Sequence, residues 1–325
     1  MSKNKIKNLL LDHTIEILLV LVVIIMTVAT PTFLTPANIL NIFRNQAMKG
    51  VIAFGMTLVI ISGQIDLSVG SQVALSGVII ARFCQDLPAA LGISTDAACV
   101  IGIAAAVVSS IAIGWIHAFL QHKFNMPAFI ITLASLNLLY GLAGRICGGF
   151  PIANVFPGWF TQLGVGSVFG IIPIPAVILV LIFVICYIVM TFTTTGRSVY
   201  AVGGNAESAR LSGIHVFRTK IIVFAAVQVM CVLAGMMHSA QVASGSFSFG
   251  RGWEVDVISA VVIGGTSMNG GIGKPWGTLM GILFLGVITN AMTLLNVGVY
   301  MQYVVKGLVM VMAVFLSMYQ AKAKA

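Results

Sequence analysis

Long apolar runs with few or no charges dominate this chain, and they restrict the folds that it can adopt. One such run extends from Val51 to Ala81, and Asp66 is its only charged residue. Over the whole chain 59% of the residues are hydrophobic and 8% are charged, against roughly 25% charged residues in soluble domains. Because about 18 consecutive apolar residues are enough to cross a bilayer as a helix, the pattern predicts an all-α polytopic membrane protein.

The run that holds the aspartate is too long for one crossing. As a single helix, Val51–Ala81 would rise about 46 Å, whereas the hydrocarbon core is roughly 30 Å thick. Gly63 and Gly70 flank the aspartate, and glycines at such spacing favour a break in the helix. We therefore expect one helix to end near Ser62 and a second to begin near Val69.

Carboxylates inside apolar runs need an explanation, since a charge at the bilayer centre is costly. Asp66 either lines an aqueous cavity, pairs with another group or lies near a membrane surface. The break favours a position near the cytoplasmic ends of two helices, where Asp66 and Ser68 cap the second helix. Further along, Glu254 and Asp256 are expected to cap a helix that begins near Val257.

The other apolar runs predict eight more crossings, which gives about ten transmembrane helices, several of them short or broken. Positive residues collect at the segment ends instead of forming the dense run expected for binding nucleic acid. The positive-inside rule places the tails 1–13 and 319–325 and the loop 196–220 in the cytoplasm, and the Gly- and Pro-rich loop Cys147–Gly170 outside. The further crossings are Thr14–Thr30, Ala97–Gln121, Pro127–Gly144, Ile171–Thr195, Ile221–Ala243, Val257–Thr266, Trp276–Leu295 and Tyr300–Met318.

The longest polar segment, Gly196–Lys220, carries five charged residues between two apolar runs and has to lie in water. Within it, Asn205–Ser212 is typical of one short helix. The Asn205 side chain can cap the first free backbone N–H groups, and Glu207 lies in the first turn, where the helix dipole favours a negative charge. Gly213 is expected to end the helix.

Two interpretations of this segment remain open. It is an ordinary cytoplasmic loop that orients the protein by its positive charge, or it is a docking surface for another protein. The second interpretation depends on Ala206, Ala209 and Gly213, which are small enough for a partner to approach the backbone, and on Arg210, whose forked guanidinium can bind a partner's carboxylate.

An internal similarity links two distant stretches. Val59–Gly77 and Val262–Gly281 each join an apolar run through a glycine-rich break to a second helix. Paired breaks of this kind indicate a transport pathway, because non-helical backbone at membrane depth is tolerated where it is buried or lines water. Close helix packing through small residues is the alternative. The same two alternatives apply to Asn290, which lies in the middle of its predicted helix.

Enzyme signatures are missing from the sequence. The nearest approach to a phosphate-binding loop, Gly270–Gly277, has Met268 in place of the first glycine and Pro275 in place of the hydroxyl residue. No catalytic residues and no metal site are predicted, and the dispersed cysteines are interpreted as small apolar residues of the core. These cysteines are Cys84, Cys99, Cys147, Cys186 and Cys231.

Three ordered motifs carry a resemblance to a known family. Gly55–Ser71, Tyr200–Ile214 and Glu254–Thr278 together resemble the membrane subunits of bacterial ABC importers for monosaccharides, most closely the ribose-type permeases. The similarity extends over roughly Pro31–Val314. Two departures leave the identity of the substrate open: Gln64 stands where the family usually has glycine, and Tyr140 and Gly141 replace a common arginine–glycine pair.

The resemblance implies an ABC importer permease fold in a single transmembrane domain, 1–325, of the bacterial inner membrane, with both termini cytoplasmic. Two copies, or two related subunits, would form the pore. A cytoplasmic ATPase would bind ATP and Mg, so that no cofactor is expected in this chain, and a periplasmic binding protein would deliver the sugar. ATPase coupling is expected at the short helix and its flanks, that is at Gly203, Gly204, Asn205, Glu207, Ala209, Arg210, Leu211, Ser212 and Gly213.

The function predicted from the sequence is therefore that of a non-catalytic permease subunit for a ribose-type monosaccharide. The residues expected near the substrate pathway are Gln64, Asp66, Ser68 and Asn290. Two alternatives remain: a permease for another solute, such as a branched-chain amino acid or a signalling furanone, and an ion-coupled secondary transporter. The second alternative would need a coupling site at the midplane, and embedded carboxylates other than Asp66 are scarce.

Overall fold

The structure, a computed structural model, describes residues 14–324, which form thirteen helices and four two-residue strands. The predicted tail 1–13 lies outside these residues, whereas 319–324 continue the last helix. In chain order the elements are α1 (Thr14–Ala29), α2 (Pro36–Ile61), α3 (Val69–Leu91), α4 (Thr95–Phe124), α5 (Ala128–Cys147), β1 (Ile152–Ala153), α6 (Gly158–Val165), β2 (Ser167–Val168), β3 (Ile172–Pro173), α7 (Ile174–Phe192), α8 (Thr194–Gly204), α9 (Ala206–Leu211), α10 (Val216–Val242), β4 (Ser244–Gly245), α11 (Trp253–Ile263), α12 (Pro275–Leu294) and α13 (Val299–Lys324).

Within residues 14–324, six helices are long and apolar enough to cross a membrane: α3, α4, α5, α7, α10 and α12. Helix α1 and the segment Val299–Met312 are apolar but shorter. The polytopic helical class is confirmed, although the count of about ten crossings is not. The short strands, which the sequence did not predict, form two antiparallel pairs, β1 with β4 and β2 with β3.

The core is centred on α2 and α10, which pack against each other and against α3, α4 and α7. Phe54 of α2 and Phe224 of α10 are fully buried. At Gly55 the two helices approach so closely that a Cβ would lie 2.7 Å from the Cα of Val227. Small residues at such contacts let membrane helices pack backbone to backbone, which stabilises a bundle where lipid supplies no hydrophobic driving force between helices. All five cysteines are free and buried, as predicted.

The first break (residues 62–68) lies where the sequence predicts it. Helix α2 ends at Ile61 and α3 begins at Val69. Gly63 has φ +77°, a conformation that glycine adopts without strain, and it turns the chain out of α2. A second break (residues 264–274) separates α11 from α12. Both members of the predicted pair of glycine-rich interruptions are therefore present.

Between α10 and α11 the chain runs without a helix along the flank of α3. We call residues 243–252 the extended segment, although residues 247–252 form turns. In it, Gly245 lies against the backbone of Gly77, and Gly250 lies against the backbone of Gly70. Helix α11 then has 11 residues, a length of about 16 Å and thus roughly half of a hydrocarbon core.

The breaks and loops divide between two faces of the molecule. The loop face carries residues 148–173, and β1 of this loop pairs with β4 at the start of the extended segment. Helices α7 and α10 lead from there to the opposite face, which carries α8, α9 and their flanks. We call residues 194–215 the knob, and this side of the molecule the knob face.

Candidate functional site

The knob contains the short helix that the sequence predicts. Helix α9 is preceded by Asn205, whose Oδ1 accepts a hydrogen bond from the backbone N–H of Ser208 (2.9 Å). Gly213, at φ +83°, follows the helix after one further residue. The cap satisfies one of the backbone donors that every helix start leaves free. The predicted cap and the predicted end of this helix are both confirmed.

An ion pair within the knob occupies the guanidinium that was expected to face a partner. Arg210 donates from Nε to Glu207 Oε2 (3.1 Å) and from Nη2 to Oε1 (2.6 Å), and both side chains are exposed. The guanidinium holds the pKa of the Glu207 carboxyl below its ordinary value. Beside the pair, the Leu211 side chain is 74% exposed while Ala209 is buried. The outer surface of α9 thus presents an apolar side chain next to a preformed ion pair.

Gly203 of the knob packs against both glycine-rich breaks. A Cβ at this residue would lie 1.7 Å from the carbonyl oxygen of Ile61 and 2.8 Å from the backbone nitrogen of Gly271. Gly271 itself donates a 2.8 Å hydrogen bond to the Ile61 carbonyl, and the Tyr200 hydroxyl donates to the carbonyl of Gly273 (2.8 Å). Three chain segments that are distant in sequence therefore meet backbone to backbone at one point.

Asp66 is buried in a polar cluster instead of facing the surface. Its Oδ1 accepts from the backbone N–H (2.8 Å) and the hydroxyl (2.6 Å) of Ser68, and its Oδ2 accepts from Gln228 Nε2 (2.8 Å). Nδ1 of His117 lies 3.6 Å from Oδ2, and Nε2 of the same ring is hydrogen bonded to the Ser135 hydroxyl (2.8 Å). The carboxylate is therefore held by partners from α4 and α10.

This cluster corrects the predicted capping role of Asp66 and Ser68. Ser68 precedes α3 but makes no side-chain capping bond to it, because its hydroxyl donates to the carboxylate of Asp66. Gln228 and His117 were not predicted from the sequence, although single polar residues within apolar helices are a usable signal for such contacts. Gln64, also expected near the pathway, accepts a hydrogen bond from Gln121 of α4.

Asn290 does not join this cluster. Its amide and that of Asn38 bind each other reciprocally, with Nδ2 to Oδ1 distances of 2.8 and 3.0 Å. The pair connects α12 to the first turn of α2, at the end of α2 that is far from the first break. Of the four residues expected near the pathway, Gln64, Asp66 and Ser68 are brought together and Asn290 is separate.

The predicted caps of α11 are also wrong. The helix begins at Trp253 rather than near Val257, and Gly252 precedes it without any side-chain cap. Glu254 and Asp256 fall inside its first turn. Acidic residues are still favourable there because of the helix dipole, but the Asp256 side chain is directed to other helices.

Asp256 instead joins three helices through ion pairs. Its Oδ2 accepts from Lys49 Nζ of α2 (2.5 Å) and from Lys306 Nζ of α13 (3.1 Å). Lys306 lies inside the predicted crossing Tyr300–Met318. The three side chains line a cavity of about 20 Å³ together with Gln46 and Thr289, which is room for about one water molecule. Among residues 14–324, no group of three or more His, Cys, Asp or Glu side chains could hold a metal ion.

Comparisons with known proteins agree on one family. Residues 38–314 match the family described as branched-chain amino acid transport system / permease component. The ribose import permease protein RbsC of Bacillus subtilis is 40% identical over 299 residues, which cover 92% of this chain and 90% of that protein. RbsC of Escherichia coli K12 is 39% identical, covering 91% of this chain and 90% of that protein. The L-arabinose transport system permease protein AraH of the same strain is 37% identical, covering 90% and 86%. No solved structure is significantly similar to the chain.

Proposed function

This chain belongs to the family of branched-chain amino acid transport system permease components, and we propose that it is the permease subunit of an ABC importer that translocates a ribose-type monosaccharide. The observation that carries the proposal is the similarity to ribose and arabinose permeases over about nine tenths of the chain. A branched-chain amino acid is less well supported, because the description of the whole family names that solute while these relatives are named for pentoses. The chain is a membrane channel component and not a catalyst.

The knob is the proposed contact with the cytoplasmic ATPase, which would bind ATP and Mg itself. The packing of the knob supports this role. Gly203 contacts both breaks, so a force on α9 reaches them through backbone contacts alone. The exposed outer surface of α9 gives the ATPase an apolar and a charged contact. The proposed coupling residues are Gly203, Gly204, Asn205, Glu207, Ala209, Arg210, Leu211, Ser212 and Gly213.

In the proposed orientation the knob face lies in the cytoplasm of a cell with this protein in its inner membrane, and the loop face receives the periplasmic binding protein. The tails 1–13 and 319–325 would then be cytoplasmic. Ten crossings satisfy this arrangement if α1, α2, α13 and the extended segment with α11 are added to the six long apolar helices. A second copy of the chain, or a related permease, would complete the pore.

We propose that the substrate pathway passes the first break, which the knob contacts and moves. Asp66, Gln64 and Ser68 lie there in contact with α4 and α10, and the knob abuts the same break. We propose that Asn290 serves helix packing, since Asn38 satisfies its amide. The cluster at Asp66 would hold the break in one arrangement until the knob moves.

The proposal is tested by reconstituting the chain with its ATPase and binding protein in proteoliposomes and measuring uptake of labelled ribose and arabinose. Uptake should require ATP hydrolysis and continue when ionophores collapse the proton and sodium gradients. A matched reaction with a non-hydrolysable ATP analogue supplies the control. Uptake that stops with the gradients while ATP is present would instead identify an ion-coupled transporter, and uptake of leucine but of neither pentose would identify an amino acid permease.

A further inference from the structure

The extended segment brings charged side chains to the middle of the membrane. It enters from the loop face, where β4 pairs with β1, and by Gly250 it has reached Gly70 in the first turn of α3. Helix α11 covers the remaining half of the crossing, about 16 Å, and ends at the second break beneath the knob. Arg251 and Glu254 therefore lie near mid-depth, at the junction of the two halves.

The surroundings of Arg251 indicate whether this junction faces lipid or water. The arginine side chain is exposed, and it forms no ion pair with any of the described residues 14–324. Its guanidinium lies over the rings of Tyr140 (4.9 Å) and Phe247 (5.9 Å), measured to the ring centroids. An exposed guanidinium in hydrocarbon would cost several kcal/mol, whereas it is tolerated where it lines water. The junction accordingly faces an aqueous route.

Three buried polar atoms surround the same junction without partners. Tyr140 Oη, His238 Nδ1 and Glu254 Oε2 have no hydrogen-bond partner in the described part of the chain. The Tyr140 ring lies under the guanidinium of Arg251, and Glu254 Oε2 lies against Gly70, where an added Cβ would be 2.7 Å from it. Leaving a buried polar group unsatisfied costs about 1–3 kcal/mol. Three such atoms on three different elements are therefore evidence for a ligand that supplies hydrogen-bonding groups.

Aromatic rings complete the surroundings. The His238 ring meets Phe249 and Trp253 edge to face, with centroids 4.5 and 5.1 Å apart. Phe247 and Tyr140 line the adjoining side under Arg251. A mostly apolar wall with a few placed polar groups is the usual make-up of a small-molecule site. Sugars match it because their C–H faces pack on aromatic rings while each hydroxyl can both donate and accept.

Charge narrows the class of ligand. Arg251 and Glu254 contribute one positive and one negative group, while the nearby Lys49 and Lys306 both pair with Asp256. The opposite charges of Arg251 and Glu254 favour a neutral ligand that is rich in hydroxyl groups over a carboxylate or an amine. We propose that Tyr140, His238, Arg251 and Glu254 form the contact site for the monosaccharide at mid-membrane, an inference that rests on the proposed function for the identity of its ligand.

The aqueous position of the junction can be tested independently of the transported solute. A Ser248→Cys variant places a thiol on the extended segment at an exposed residue, and Val180→Cys places one on the exposed, apolar surface of α7. With the unsubstituted chain as background, since its cysteines are buried, a membrane-impermeant thiol reagent should modify Ser248→Cys and leave Val180→Cys unmodified. Added ribose should slow the modification, whereas glycine betaine at equal osmolarity should not. Equal labelling of both variants, or labelling that ribose leaves unchanged, would overturn the site.

Uptake by the reconstituted complex tests the polar contacts. Glu254→Gln should lower ribose uptake about tenfold or more, the size of a lost charged hydrogen bond, and Tyr140→Phe about fivefold, the size of a neutral one. ATP hydrolysis stimulated by the loaded binding protein should change by no more than about twofold, as for surface substitutions. Asp86→Asn, an exposed carboxylate paired with Arg82, and Tyr187→Phe, an exposed tyrosine of α7, serve as matched controls.

The outcomes separate this inference from the proposed function. If the unsubstituted complex takes up no pentose, the proposed function fails, while the labelling result still decides whether the junction is aqueous. If it takes up ribose and the two variants equal the controls, the contact site is refuted. Parallel loss of uptake and of stimulated ATP hydrolysis would also refute it, because that result shows a structural role.

Discussion

The backbone N–H of Gly271 donates a 2.8 Å hydrogen bond to the carbonyl oxygen of Ile61, and this bond joins the second break to the first. Gly203 of the knob packs onto the same two groups. A movement of the knob therefore cannot leave either break unchanged. Under the proposed function, this three-way contact transmits the closure of an ATPase pair to the two interrupted helices, whose rearrangement opens the pathway.

A methyl group at Gly203 should disrupt that contact. In Gly203→Ala the new Cβ would meet the Ile61 carbonyl at 1.7 Å, so backbone must move, at a cost of about 1–3 kcal/mol or more. We expect ATP-driven uptake to fall by about tenfold or more while the ATPase still binds. Gly298→Ala is the matched control, because this glycine lies outside the knob and no atom lies within 4 Å of its added Cβ. Equal uptake by the two variants would count against the contact at Gly203 as the one that couples the ATPase to the breaks.

Removal of the cap of α9 should weaken the docking of the ATPase. Asn205→Ala deletes the acceptor for the Ser208 N–H, and a lost N-cap costs about 1 kcal/mol, which corresponds to about fivefold in affinity if the ATPase binds only the folded helix. Titration of the purified ATPase onto the permease in nanodiscs measures this change. Asn205→Asp retains an acceptor and should bind normally. Unchanged affinity of the alanine variant would show that α9 is not the docking element.

The buried carboxylate of Asp66 should make Gln228 important for stability. Gln228→Leu removes the amide that donates to Oδ2 (2.8 Å) and leaves that oxygen underpaired, which should destabilise the chain by about 1.5–3 kcal/mol. Thermal denaturation in detergent, followed by tryptophan fluorescence, would show a lower midpoint. Gln241→Leu is the control, since its bond to Asn45 is long (3.4 Å) and exposed. Equal midpoints for the two variants would contradict a structural role for the cluster.

The pair formed by Asn38 and Asn290 should behave as helix packing. Each single alanine variant removes both bonds of the pair, so a double-mutant cycle should give a coupling free energy of about 0.6 kcal/mol, the typical value for such bonds in membrane bundles. Ribose uptake should stay within about twofold of the unsubstituted chain. Strong loss of uptake in Asn290→Ala but not in Asn38→Ala would place Asn290 on the substrate pathway instead.

Local features of this fold could be predicted from the sequence because their causes are local. Gly63 and Gly70 flank a charge in a run too long for one crossing, which gives the first break, and Asn205 with Gly213 gives the bounds of α9. The meeting of the two breaks could not be predicted, since it depends on backbone approach at Gly203 between residues far apart in the chain. The pairing of Asp256 with Lys49 and Lys306 is another long-range contact, and local capping rules pointed elsewhere. The aromatic surroundings of Arg251 likewise combine α5, α10 and the extended segment.

Site-directed labelling in spheroplasts tests most directly whether a cytoplasmic ATPase can act on the knob. Leu211→Cys lies on the knob with the parent side chain 74% exposed, and Phe169→Cys lies on the loop face with the parent side chain 92% exposed. With a membrane-impermeant maleimide, Phe169→Cys should react in intact spheroplasts and Leu211→Cys only after permeabilisation. Reaction of Leu211→Cys in intact spheroplasts would place the knob on the external side, where no ATPase could reach it, and would contradict the proposed coupling.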